Sequence, residues 1–209
     1  MIRSDRRTWP LAISLAMLAG YVDAIGFQHL GGYFVSFMSG NGTMLAVHLV
    51  RPGTMGGGAA MLAALLGLFV AGVMAGTLIR LAVPHGGQAA VLILVAVLLA
   101  LAGLASWLAW GMAVAMGAAN ATFERDGEVS IGVTYMTGTL VKIGQHLAQA
   151  VAGGARWRWL PYLLLWSGFM AGAALGAWAY PAWGMAALGV ATGGAMLAAA
   201  AAWRSRPVF

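Results

Sequence analysis

The sequence predicts an all-α fold, a polytopic bundle of transmembrane helices with about eight helical segments (six to eight spans) in two repeated halves. Composition is the first support. Hydrophobic residues make up 62% of the 209 and charged residues only 8%, with a mean hydropathy of +0.87. A soluble domain of this size carries about a quarter charged residues. The second support is a series of charge-free runs long enough for a bilayer, which needs about 20 apolar residues per crossing. The third is that blocks of the first half recur in the second. Such a composition excludes a cytosolic enzyme, a nucleic-acid reader and a disordered regulator. The net charge of +6, from 11 basic against 5 acidic residues, is too scattered for a nucleic-acid stripe and reads as a topology signal. Cysteine is absent, so there is no disulfide framework, thiol nucleophile or thiolate metal site. Residues 1–209 read as one transmembrane domain.

In chain order, Leu11–His29 is interrupted only by Asp23, while Tyr33–Val50 and Gly57–Ile79 carry no formal charge. Leu81–Phe123 is also charge-free, but Pro84-His85-Gly86-Gly87 breaks it early. The remainder, Gln88–Phe123, would run about 54 Å as one helix, against a hydrocarbon layer of about 30 Å. It must fold back, and Gly103 to Ser106 is the expected turn. Glu124-Arg125-Asp126-Gly127-Glu128 reads as a solvated external turn. Ile131–Val151 carries Lys142 at its middle, and Tyr180-Pro181 is expected to split the last run, Trp159–Trp203. With eight crossings, Arg3, Arg6, Arg7, Arg51, Arg156, Arg158, Arg204 and Arg206 share one side, leaving Arg80 and Arg125 opposite. The positive-inside rule then makes both termini cytoplasmic. The opening residues also have the outline of a signal peptide, with Val22-Asp23-Ala24 as a poor cleavage site; the place of Asp23 in the repeat argues that the segment is retained.

That repeat has three blocks. Val35-Ser36-Phe37-Met38-Ser39-Gly40 matches Val133-Thr134-Tyr135-Met136-Thr137-Gly138, and the same register pairs His48-Leu49 with His146-Leu147. Upstream, Gly20-Tyr21-Val22-Asp23-Ala24 matches Gly117-Ala118-Ala119-Asn120-Ala121. Downstream, Phe69-Val70-Ala71-Gly72 and Gly76 match Phe169-Met170-Ala171-Gly172 and Gly176. The halves are approximately 10–106 and 107–203. An even number of crossings per half makes the repeat parallel, about an axis along the membrane normal, and an odd number makes it inverted. The arginines favour parallel.

Asp23 and Lys142 each sit inside an apolar span, where a lone charge costs about 2.5–3.5 kcal/mol on insertion scales. Either they neutralise one another as a structural pair, or one or both contact a substrate or a proton. Ser39-Gly40-Asn41-Gly42-Thr43 and Thr137-Gly138-Thr139 are expected to interrupt their helices. Glycine permits non-helical backbone, Ser or Thr can cap a restarted helix, and a half-helix start attracts an anionic or polar group. The alternative is close packing through small residues. His48 and His146 read as structural histidines near helix ends or, more sharply, as a proton relay with Asp23. No carboxylate lies at ligand spacing from either, so no metal site is expected, and no cofactor. Gly72-x-x-x-Gly76 and Gly172-x-x-x-Gly176 are helix-contact motifs, serving the packing of the two halves or a homo-oligomer.

These blocks resemble the YoaK-type family of bacterial membrane proteins, a domain of unknown function. The resemblance rests on Gly20-Tyr21-Val22-Asp23-Ala24, Met38-Ser39-Gly40-Asn41, Ala115-Met116-Gly117 with Asn120-Ala121, and Thr134-Tyr135-Met136-Thr137-Gly138-Thr139-Leu140, and covers nearly the whole chain. Two positions depart: Ala119 stands where the family often has Gln, and Lys142 where it often has Arg. The resemblance implies a multi-pass protein of the bacterial plasma (inner) membrane and a transporter role, without a substrate.

The functional expectation is a transporter or channel for a small polar solute or ion. Its site would lie between the halves and use Asp23, Ser39, Gly40, Asn41, Asn120, Thr137, Gly138, Thr139 and Lys142. The expected partners are the lipid bilayer and that solute. A non-transporting membrane scaffold is the rival. An enzyme is not expected, because no nucleophile–base arrangement appears in the sequence.

Overall fold

The computed structural model describes residues 8–51, 58–83, 85–125, 128–129 and 131–204. Arg3, Arg6, Arg7, Pro84, Asp126, Gly127 and Arg206 of the sequence reading lie outside them, as do the side chains of Arg125 and Glu128. Eight α-helices follow one another: α1 (Trp9–His29), α2 (Met38–Val50), α3 (Ala59–Ala82), α4 (Gly87–Leu104), α5 (Gly111–Asn120), α6 (Met136–Val151), α7 (Leu160–Trp183) and α8 (Leu188–Arg204). Glu124–Arg125 pairs antiparallel with Glu128–Val129, so the acidic turn is a two-rung hairpin. Its first residue is tied to the end of α3: the Thr77 hydroxyl donates to Glu124 Oε2 at 2.7 Å, and Arg80 Nη2 donates to the Glu124 carbonyl at 2.9 Å.

Among the described residues four stretches are long and apolar enough to cross a bilayer: α1, α3, α4 and Leu160–Arg204, the last of which holds both α7 and α8. The other three helices are short, with 13 residues in α2, 10 in α5 and 16 in α6. At 1.5 Å per residue they span only about 15–24 Å of a layer about 30 Å thick. Among the described residues the expected count of eight helical segments holds.

Three breaks fall elsewhere than the sequence suggests. Ser39–Thr43 and Thr137–Thr139 do not interrupt helices; they form the first turns of α2 and α6. The irregular backbone lies just upstream, at 30–37 and 131–135. Nor does either polar run cap its helix: the N-cap positions are Phe37 and Tyr135, without a side-chain cap. Tyr180-Pro181 does not split the last run either, because α7 continues to Trp183. Proline at 181 frees the carbonyl four residues back, that of Ala177. Gln28 Nε2 of α1 approaches this oxygen at 3.5 Å while donating to the Ala24 carbonyl at 3.2 Å. The break comes at Gly184, whose φ of +54° suits glycine, and a 3₁₀ turn at Gly184–Ala187 leads into α8.

The most extensive helix contacts are α1 with α7, α4 with α8, and α3 with α5. The Gly-x-x-x-Gly motifs explain two of them. A Cβ added at Gly172 or Gly176 would strike the Met17 or Tyr21 carbonyl of α1, and one added at Gly72 would strike the Val114 carbonyl of α5. At Gly76 it would come within 2.9 Å of the Ala118 carbonyl. The reciprocal glycines, Gly20 on α1 and Gly117 on α5, meet the carbonyls of Phe169 and Phe69. Contacts advance together along both chains (Met17 to Gly172, then Tyr21 to Gly176; Val114 to Gly72, then Ala118 to Gly76), so both helix pairs run parallel. Gly72, Gly76, Gly172 and Gly176 are buried in these intramolecular contacts. The four glycines therefore serve packing within the chain, the first of the two uses expected of them.

Candidate functional site

Residues 30–37 and 131–135 lead the chain into α2 and α6, and polar side chains of the preceding helices hold both. Asp23 is 5% exposed on α1, and its Oδ1 accepts the N–H groups of Val35 at 2.9 Å and Ser36 at 2.8 Å. Buried Asn41 adds a second fastening: its Oδ1 accepts the Phe34 N–H at 3.1 Å and its Nδ2 donates to the Phe34 carbonyl at 2.6 Å. In the later segment Asn120 Oδ1 accepts the Thr134 hydroxyl at 3.1 Å, and its Nδ2 donates to the Met116 carbonyl at 3.0 Å. Thr139, buried in the first turn of α6, donates its hydroxyl to the Tyr135 carbonyl at 3.0 Å.

Between the two fastened segments lies a cavity of about 290 Å³, walled by residues 36–39, residues 134–138 and Phe69. The hydroxyl-bearing walls are Ser36, Ser39, Thr134, Tyr135 and Thr137; the rest is aromatic, Met or Gly. The starts of two half-length helices thus face one volume, and their first-turn N–H groups have no capping side chain. Such a place can accept a small group carrying negative or partial negative charge.

Residues 11–201 match the family described as "Protein of unknown function (DUF1275)". The chain belongs to the DUF1275 family. It is also 36% identical over 213 residues to UPF0700 transmembrane protein RA0705 of Rhizobium meliloti (strain 1021), which covers 94% of this chain and 89% of that protein. No solved structure matches it. The family match agrees with the resemblance read from the sequence, and a transmembrane relative agrees with the apolar helices. This DUF1275 chain is a membrane-embedded helical bundle.

Its sequence-predicted residues fall into three groups. Ser39, Thr137 and Gly138 line the cavity. Asp23, Asn41, Asn120 and Thr139 stand behind it, occupied with backbone or Thr134, and Gly40 packs beneath the Phe37 ring, where a Cβ would meet Cδ1 at 2.5 Å. Lys142 is exposed on α6 and makes no ion pair with Asp23, whose charge is met by peptide N–H groups instead. The expected pairing of the two charges is thereby replaced by a helix-to-loop clasp.

The histidines also separate. His48 is 5% exposed with no partner for Nε2, while His146 stacks on Tyr162 at 5.3 Å and shares a 3.1 Å hydrogen bond with Gln149. Neither bonds Asp23, so the relay has no direct link among the described residues. Among those residues no group of three His, Asp or Glu could hold a metal ion. Sequence reasoning missed Ser36 and Thr134 as site residues, although both stand in the most closely repeated block. Their importance follows from what Asp23 and Asn120 hold, and a pattern of residue types does not reveal a hydrogen-bond partner.

Proposed function

We propose that this DUF1275 protein moves a small polar solute or ion across the bacterial plasma membrane through the cavity between the starts of α2 and α6. The observation that carries the reading is the matched pair of walls, 36–39 and 134–138, each ahead of a half-length helix. We further read the chain as two halves related by an axis along the membrane normal, with both termini cytoplasmic. The side-sharing arginines support this. A wall without a histidine or carboxylate suits passage better than acid–base catalysis. A scaffold that docked through the Gly-x-x-x-Gly motifs is less favoured, because both motifs meet helices of the same chain.

The test is flux into proteoliposomes, with chloride, formate, potassium, urea and glycerol as separate probes. Wild type should admit at least one probe. Gly138→Leu, which places a side chain where a Cβ now meets open space, should block it while the protein stays folded. No flux of any probe through folded wild type, or unchanged flux through Gly138→Leu, would remove the reading.

A further inference from the structure

The two clasps behind the cavity match in position and differ in one chemical respect. Asp23 can gain and lose a charge, whereas Asn120 cannot. Asp23 is the one Asp or Glu in the sequence that lies within a charge-poor span, since the others are Asp5, Glu124, Asp126 and Glu128. It is buried, yet it is only one peptide away from the cavity, because the N–H it holds at 2.8 Å belongs to Ser36, a wall residue. We propose that Asp23 binds the proton that couples to transport, and that its protonation loosens the Ser36–Phe37 wall while the Asn120-held wall stays fixed. This rests on reading the cavity as a solute path.

The physical argument concerns bond strength. A carboxylate accepting N–H groups makes charge-assisted hydrogen bonds, roughly twice as strong as neutral ones. One proton turns the carboxylate into a neutral carboxylic acid, and its hold on Val35 and Ser36 weakens. Thr134 feels no such change, because a carboxamide does not titrate near neutral pH. A metal cation is a poorer occupant: it needs several oxygen ligands, and Oδ1 is already met by two N–H donors.

Titratable groups on the surrounding elements are otherwise engaged or distant in role. Tyr21 on α1 donates to the Ala187 carbonyl, and His29 at the end of α1 pairs with Tyr180 of α7 at 3.0 Å. Tyr33 lies in the held segment itself, and His48 and Arg51 lie at the far end of α2. Arg204 ends α8, and α5 carries no titratable side chain. No Lys, Arg or His among the described residues bonds the carboxyl.

The absence of cysteine makes the test direct. Ser39→Cys and Thr137→Cys, equivalent wall positions, are labelled separately with a water-soluble maleimide from about pH 5.5 to about pH 8.5. The ratio of their labelling rates cancels thiol ionisation common to both. It should change about fivefold or more along a one-proton curve, and become flat in an Asp23→Asn background. A ratio constant within about twofold in wild type, or a titration that survives Asp23→Asn, overturns the proposal. A change driven by sodium in place of choline at fixed pH also overturns it, by making the ligand a cation. Should Asp23→Asn not fold, the infrared carboxylic-acid band of wild type decides: a buried acid must appear over the same pH range as the ratio change, and its absence sinks the idea. Labelling needs no solute. A titrating ratio in a protein without flux would therefore retain the proton site and discard transport, and flux with a flat ratio would do the reverse.

Discussion

Around residues 23–37 a carboxyl gathers peptide N–H groups, whereas around residues 120–134 a carboxamide holds a single threonine hydroxyl. Both devices sit on the helix before a half-length helix, and both bring a wall to the same cavity. They differ in what is lost when they fail. Without Asp23, buried backbone donors go unpaired and the course of the chain itself is released. Without Asn120, one side-chain hydroxyl loses an acceptor and the backbone keeps its bonds. One geometry can thus be held by fastenings of unequal strength, and the stronger one is also the one that can be switched.

The largest expected effect is therefore on Asp23. Asp23→Leu strands two buried N–H groups at about 1–3 kcal/mol each, so about 2–6 kcal/mol of stability should disappear in detergent thermal unfolding. Asn120→Leu should lose only about 1–3 kcal/mol. Equal losses would mean that the two clasps bear equal load. Adding Lys142→Met to Asp23→Leu should restore nothing, since no ion pair joins the two; recovery of stability would revive the paired-charge reading.

Next come the helix-contact glycines, where the α1–α7 and α3–α5 pairs should respond alike. Gly172→Ala and Gly72→Ala each push a methyl into a backbone carbonyl of a parallel helix, and each should cost about 1–3 kcal/mol by overpacking. If one proves silent in the same unfolding assay, the packing at that pair is looser than described here.

Gly40 and Gly138 should part company. Gly40→Leu collides with the Phe37 ring and should destabilise by about 1–3 kcal/mol, whereas Gly138→Leu enters open space and should change stability by less than about 0.5 kcal/mol. Similar melting temperatures for both would contradict the asymmetry. Smallest of all, Ser39→Ala and Thr137→Ala should each stay within about 0.5 kcal/mol of wild type, because neither hydroxyl caps its helix. A larger drop for either would show that it carries a structural bond.

Much of this was legible in the sequence, and the gaps have physical causes. Charge-free run lengths located the long helices, and the fold-back at Gly103 to Ser106 agrees with the end of α4 at Leu104. The Gly-x-x-x-Gly motifs correctly announced close helix contact, but a motif does not say which helix it meets. Pro181 misled because its freed carbonyl is approached by Gln28, a residue 149 positions away. The small polar runs at 39–43 and 137–139 suggested breaks that occur a few residues earlier. What fixes those breaks is the reach of Asp23, Asn41 and Asn120, and spacing alone cannot show which backbone groups a buried polar side chain will claim.

The parallel pairing of α1 with α7 has a consequence in time. Met17 emerges from the ribosome long before Gly172, and at about 5–20 residues per second the first helix waits on the order of 10 s for its main partner. Through that interval it carries an acidic side chain without the seventh helix to shelter it. The groups that receive that side chain, however, belong to Val35 and Ser36, which are made within about a few seconds. A short-range fastening thus lets the earliest part of the chain settle in the bilayer while the long-range architecture is still being synthesised.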